Sequence, residues 1–189
     1  MLEEIIQYDK ELFLFLNNLG NTTWDGFWMF MTNKFTAIPL YLFLAFLFYR
    51  SYGVKKLLLV LVMIALLITA TDKLSTLFKY GIGRLRPCYD DSLYGLMRLV
   101  KDSCGGRYSY FSAHAANSFA VAGFFSILLK QKVKYIVIFL LTWAFIVAYS
   151  RIYIGVHFPL DIFTGAIIGL VFSWLFAKLY IFVIRKIGV

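Results

Sequence analysis

The sequence predicts an all-α membrane protein, a bundle of five or at most six transmembrane helices preceded by an N-terminal interfacial helix. Three observations predict it. Of 189 residues, 61% are hydrophobic and 15% charged, far from the about 45–50% apolar and about 25% charged content of a soluble domain. The apolar residues, 20 Phe and 13 Tyr among them, fall in continuous runs rather than the alternation of a barrel strand. At roughly 20 residues per span, the length holds five or six helices and little else. The chain 1–189 therefore reads as a single membrane-embedded domain, with N-terminal helices over 1–34, a bundle over 35–184 and an outer loop over 81–110.

Taken in order, the first segment mixes Ile5, Ile6, Leu12, Phe13 and Leu16 with Glu3, Glu4, Asp9, Lys10 and Glu11, which suits a helix lying in the membrane interface. The acidic start Met1-Leu2-Glu3-Glu4 lacks the basic region of a cleaved signal peptide. Apolar runs follow at 35–49, 57–78, 112–129, 135–149 and 158–184. The first is short for a span, so its helix is allowed to start as far back as Trp24-Asp25-Gly26-Phe27-Trp28. The last is long enough to need tilt or a protruding end. No internal repeat, low-complexity tract or linker interrupts the series.

Charge placement orients the bundle. Arg50, Lys55, Lys56, Lys130, Lys132, Lys134, Lys178, Arg185 and Lys186 occupy alternate junctions without an acidic neighbour, while the other side holds the remaining basic residues together with all 10 carboxylates. Positive-inside placement makes the purely basic side cytoplasmic, although the Lys/Arg count alone is nearly even. The basic excess on the other side then belongs to a ligand site. Nucleic-acid binding is not expected, because no basic helix or stripe leaves the membrane.

Ionisable groups in or beside spans are expensive and point to function. At the outer end of the second span stands Lys79-Tyr80-Gly81-Ile82-Gly83-Arg84-Leu85-Arg86-Pro87. Continued helix would place Lys79 and Arg86 two turns apart on one face, though Gly81 and Gly83 favour a bend; alone, the cluster reads equally as snorkelling cations. Ser112 is an N-cap residue for the third span, with His114 in the first turn beside backbone N–H groups that suit an anion. Alone, that is an ordinary capped helix. His157 and Asp161 are four apart, so on a helix the carboxylate can hold one ring nitrogen, and Arg151 reaches the same boundary. Pro159 fits the first turn of the last helix. Lys79, Arg86, Arg151, both histidines, one carboxylate and a helix N-terminus together suit a phosphate. No Cys, Asp and Glu cluster stands at metal-ligand spacing, so neither a metal nor another cofactor is expected.

These residues resemble the type 2 phosphatidic acid phosphatase superfamily, whose signatures are K-x6-R-P, P-S-G-H and S-R-x5-H-x3-D. Lys79 through Arg86-Pro87 and Ser150-Arg151 through His157 and Asp161 match intact. The middle signature departs from the pattern, reading Phe111-Ser112-Ala113-His114. The resemblance implies a phosphomonoester or diphosphate hydrolase in which His157 attacks phosphorus, Asp161 orients it, and His114 protonates the leaving oxygen and then activates water. It also implies that Lys79, Arg86, Ser112, Arg151 and the Ala113 N–H hold the phosphoryl oxygens. Attack needs a neutral imidazole; a helix N-terminus favours that form and Asp161 opposes it.

The expected substrate is a lipid phosphate or diphosphate met at headgroup level among membrane lipids. Undecaprenyl diphosphate, phosphatidylglycerophosphate, phosphatidate and a lipid A phosphate all fit, and the minimal bundle leans toward undecaprenyl diphosphate or a related lipid at the periplasmic face of a bacterial inner membrane. The alternatives are a lipid phosphotransferase, a haem-binding bundle and an anion or lipid transporter. Cys88 and Cys104 lie on the outer segment, where an oxidising compartment permits a disulfide closing a loop of about 17 residues, worth roughly 3 kcal/mol. Arg84, Arg98, Lys101 and Arg107 are read as steering anionic headgroups or as simply solvated or bound to lipid phosphate, and Asp72 is expected to find a basic or polar partner inside the bundle.

Overall fold

Each of the five apolar runs corresponds to one helix, the first entering it through a 3-10 turn and the last three starting at the helix N-cap. The computed structural model describes residues 1–188, and among them seven α-helices form: α1 (Leu2–Asn18), α2 (Thr22–Thr32), α3 (Ile38–Tyr52), α4 (Val54–Ile82), α5 (Ala113–Leu129), α6 (Ile136–Tyr153) and α7 (Pro159–Ile187). Single 3-10 turns occur at Lys34–Ala37, Pro87–Tyr89 and Asp91–Leu93. The boundaries follow local chemistry. Gly83 adopts φ 68°, the left-handed conformation that ends α4 with a bond from its N–H to the Lys79 carbonyl, and glycine is the residue that reaches it without strain. Pro159 opens α7, where its missing N–H costs nothing.

Four segments, Lys34–Tyr52, Val54–Ile82, Ile136–Tyr153 and Pro159–Ile187, are long and apolar enough to cross a membrane, and the apolar Ala113–Leu129 is slightly shorter. Helices α4 and α7 have 29 residues each, about 43 Å at 1.5 Å per residue, so they exceed a hydrocarbon core of about 30 Å. The aromatic stretch 24–28 is not part of the first span. It lies in a separate helix, α2, because Asn33 is extended and its side chain accepts from the Phe35 N–H at 3.0 Å; this local cap competes with continued helix.

Helix α5 is the central helix, and it packs most closely against α7. Gly165 and Gly169 of α7 face Ala116 and Ala120 of α5. A Cβ on Gly165 would sit 2.6 Å from the Ser112 carbonyl oxygen, and one on Gly169 would sit 2.9 Å from the Ala120 amide nitrogen. Small residues four apart on both helices let the backbones touch where lipid offers no hydrophobic drive. That contact sets the starts of α5 and α7 side by side. The main core, including Phe48, Leu67, Phe124 and Leu140, fills the bundle beyond it. A second cluster of Phe13, Leu93, Ile152 and Phe158 closes the end near the long connection.

Two ends result. The turn end joins α3 to α4 at Gly53 and α5 to α6 through 130–135. The loop end carries the connection 83–112, which folds back on itself through bonds from Arg86 N–H to the Arg107 carbonyl (3.1 Å) and from Ser109 N–H to the Arg84 carbonyl (2.8 Å). Cys88 and Cys104 are joined as a disulfide, with Cα atoms 6.2 Å apart.

Helix α1 docks at the loop end by a stripe of three residues four apart: Asp9, Phe13 and Asn17 are 7%, 0% and 0% exposed. Ile5, Ile6, Leu12 and Phe15 face outward, as an interfacial helix requires. The Asn17 amide donates to the carbonyls of Ile152 (3.0 Å) and Tyr153 (2.9 Å) and accepts from the Arg98 N–H (2.7 Å).

Candidate active site

The loop end gathers every residue of the three sequence clusters. Lys79 lies in the last turn of α4 and is partly buried. Arg86 does not share a helix face with it, since the chain leaves the helix at Gly83. The guanidinium is instead held by the returning strap of the connection, with Nε donating to the Tyr108 carbonyl at 3.3 Å and Nη1 to the Cys104 carbonyl at 2.8 Å. The disulfide fixes that strap. Arg151, near the end of α6, is only 6% exposed, and its Nη1 donates to Thr32 Oγ1 at the end of α2. Its Nε is one of the few buried side-chain polar atoms without a hydrogen-bond partner among the described residues. A buried, planar guanidinium donor of this kind fits the charged oxygens of a phosphoryl group.

Ser112 caps α5, accepting from the Ala115 N–H at 3.4 Å, and its own N–H donates to the Asp161 carbonyl at 3.1 Å. The first turns of α5 and α7 are thereby locked together. His114 is half-buried in the first turn of α5. Phe111 is fully buried, with its ring 5.4 Å from that of Phe78 and its carbonyl accepting from Ser75 Oγ at 2.9 Å. The departure from proline at this position thus fills a groove beside α4, and Ala113 contributes to the wall of the cavity beside His114.

His157 sits in the turn between α6 and α7, 2% exposed. Its Nδ1 lies 3.3 Å from Asp161 Oδ2, which also accepts from the Phe158 N–H at 3.0 Å. Nδ1 is thereby engaged by the carboxylate and Nε2 takes no part in that contact. Burial first, then the nearby charges of Arg151, Arg86, Lys79 and Arg84, hold the His157 ring well below its ordinary basicity. Desolvation and the surrounding cations thus both work against the charged ring, in the direction that the helix terminus also favours and against the carboxylate.

Arg84 does not face outward to steer headgroups. Its guanidinium bridges Asp9 Oδ2 (2.6 Å) and Asp161 Oδ1 (3.0 Å) and stacks 4.1 Å over the Phe158 ring. Arg98 likewise is tied to Asp25 at 2.9 Å, while Arg107 remains exposed. Asp72 has its polar partner, accepting from the Asn117 amide at 2.8 Å. Sequence reasoning passed over Asp9, Thr32 and Asn17. The one signal for Asp9 and Asn17 was their spacing of eight around Phe13, which puts two polar groups on the inward face of a helix read for its apolar face. Burial raises the Asp9 carboxyl above its ordinary range, against the pull of Arg84 and the Leu160 N–H.

A cavity of about 520 Å³ adjoins His114, lined among others by Thr32, Lys34, Asp72, Asn117 and Trp143. It opens between the helices, as a site for an amphiphile requires.

The fold and site define a membrane helical bundle with basic and histidine side chains gathered at one end. Residues 55–185 match the PAP2 superfamily, and the chain belongs to it. It is 35% identical to the lipid A 4'-phosphatase of Bacteroides thetaiotaomicron over 93% of this chain and 78% of that protein. It is 30% identical to the undecaprenyl-diphosphatase of Sulfolobus acidocaldarius over 92% of this chain and 77% of that one. Among solved structures, LpxE of Aquifex aeolicus superposes with a TM-score of 0.65 at 28% identity, covering 89% of this chain and 93% of that one. The protein is a PAP2-type membrane lipid phosphatase.

Proposed function

We propose that the protein removes a phosphate from a lipid headgroup through a phosphohistidine on His157, without a metal or other cofactor, and that residues 1–189 work as one unit in this. The observation that carries the reading is the buried His157–Asp161 pair, with Nδ1 held at 3.3 Å and four basic side chains from α4, the connection and α6 acting on the ring. In the first step the Nε2 lone pair forms a P–N bond, the P–O bond to the leaving group breaks, and His114 gives that oxygen its proton. In the second step His114 takes a proton from water, whose oxygen displaces the histidine from phosphorus. Lys79, Arg86, Arg151, Ser112 and the Ala113 N–H hold the non-reacting oxygens. Their charges offset what develops at phosphorus, where catalysis is mostly positioning and electrostatics.

The leaving group departs into the cavity beside His114. Asp72 and Asn117 there suit the hydroxyl groups of a sugar or glycerol, and Trp143 suits a sugar face. A second phosphate would meet the Asp72 carboxylate. This, with the 35% identity to a lipid A 4'-phosphatase, favours a phosphorylated glycolipid over undecaprenyl diphosphate. The disulfide and the exposed basic residues at the turn end support a loop end facing the periplasm of a bacterial inner membrane.

Phosphate release from a panel of lipid A phosphate, undecaprenyl diphosphate and phosphatidylglycerophosphate, with chelator present, tests the reading. The parent protein is expected to release phosphate fastest from the glycolipid, and His157→Ala and His114→Ala to lose at least about a thousandfold. Turnover that survives His157→Ala would overturn the mechanism.

A further inference from the structure

We propose that Asp9, on helix α1, is a positioning residue for the phosphoryl transfer: by sharing Arg84 with Asp161, it preserves net negative charge beside His157. The inference rests on the reading of His157 as nucleophile. The geometry is a continuous buried chain. Asp9 Oδ2 lies 2.6 Å from Arg84 Nη2, Arg84 Nη1 lies 3.0 Å from Asp161 Oδ1, and Asp161 Oδ2 lies 3.3 Å from His157 Nδ1. Asp9 is 7% exposed and Asp161 0%.

Charge explains why two carboxylates are needed. Arg84 and Asp161 alone would sum to zero next to the imidazole. With Asp9 the group carries one net negative charge. When Nε2 bonds to phosphorus and the leaving oxygen departs with its proton from His114, the ring keeps the Nδ1 proton and becomes cationic. The cations that act on it oppose this: Lys79 from α4, Arg151 from α6 and Arg86 from the connection, besides Arg84 within the group, with His114 of α5 also near. The phosphoryl oxygens occupy the cations on one side of the ring, and the Asp9–Arg84–Asp161 group supplies the counter-charge on the other. The second Asp9 oxygen accepts from the Leu160 N–H at 2.8 Å, in the first turn of α7 that carries Asp161. One carboxylate thus sets both the charge and the place of the orienting aspartate.

Asp9→Asn separates these roles, because the amide keeps an acceptor for Leu160 and removes the charge. In the 189-residue chain in detergent, kcat for phosphate release from the best lipid phosphate is expected to fall about tenfold, with KM within about twofold. The acid limb of kcat/KM is expected to move to lower pH, because lost negative charge makes the imidazolium less stable. The double variant Asp9→Asn/Arg84→Gln restores one net negative charge at Asp161 and is expected to regain at least about threefold in kcat over Asp9→Asn. A merely structural Asp9 predicts the opposite, a further loss with an unmoved limb, and that result overturns the proposal. Should Asp9→Asn not fold, Asp9→Glu decides: it keeps the charge while displacing the bond to Leu160, and a shifted acid limb there overturns the proposal. His157→Gln run in parallel separates the two readings. Turnover in His157→Gln sinks the nucleophile, whereas a dead His157→Gln beside an unaffected Asp9→Asn sinks only the role of Asp9.

Discussion

At the turn end of the bundle Arg50, Lys55, Lys130, Lys132, Lys134, Lys178, Arg185 and Lys186 stand exposed, while at the loop end Lys79, Arg84 and Arg86 are partly buried and Arg151 is buried. The two ends carry similar numbers of cations and treat them differently. Exposed basic side chains need no partner, since water or lipid headgroups solvate them. Burial is expensive unless something compensates it. Arg84 has two carboxylates, Arg86 has two backbone carbonyls, and Arg151 has Thr32 for one nitrogen and nothing for Nε. The difference teaches that cations alone do not mark a site; what sets the loop end apart is that its cations are drawn inward beside two histidines, with one buried nitrogen of Arg151 left unpaired among the described residues.

That contrast is broken most severely by separating the helices that build the loop end. Gly169→Val places a branched side chain against the Ala116 and Ala120 backbone, and overpacking of this kind costs about 1–3 kcal/mol or more. The expected outcome is a clear fall in thermal midpoint together with loss of turnover, because the starts of α5 and α7 carry His114 and Asp161. Unchanged stability would mean that the α5–α7 contact does not hold the site. The smallest effect is expected at the other end. Lys130→Gln with Lys132→Gln should leave kcat and KM unchanged and stability within about 0.5 kcal/mol, and a loss of turnover there would show that the turn end takes part in catalysis.

The fold was largely legible because continuous apolar runs, Gly83 and Pro159 are local signals that leave few options inside a membrane. The break at Asn33 was less so, since the short run 35–49 could borrow length from the aromatic stretch before it, and only the capping side chain settles the matter. Three spacings brought Lys79, Arg86, Ser112, His114, Arg151, His157 and Asp161 into view, for each lies within one helix turn or its flanking loop. Asp9 and Thr32 were hidden for a physical reason. Their partners lie 151 and 119 residues away along the chain, and no local periodicity encodes such pairs. Arg84 was visible as a charge but not as a buried bridge, because its meaning depends on where α1 docks.

The central claim is that Lys79, Arg86 and Arg151, drawn inward at the loop end, and the buried His157–Asp161 pair form one phosphoryl-transfer site. It is tested most directly by quenching a reaction with phosphorus-labelled lipid phosphate on the millisecond scale and locating label on the protein. Acid-labile, base-stable label on the peptide bearing His157, absent in His157→Gln and accumulating in His114→Ala supplied with a substrate whose leaving group needs no proton, is the predicted result. Label on another residue, or full turnover with no labelled protein in His114→Ala, would contradict it.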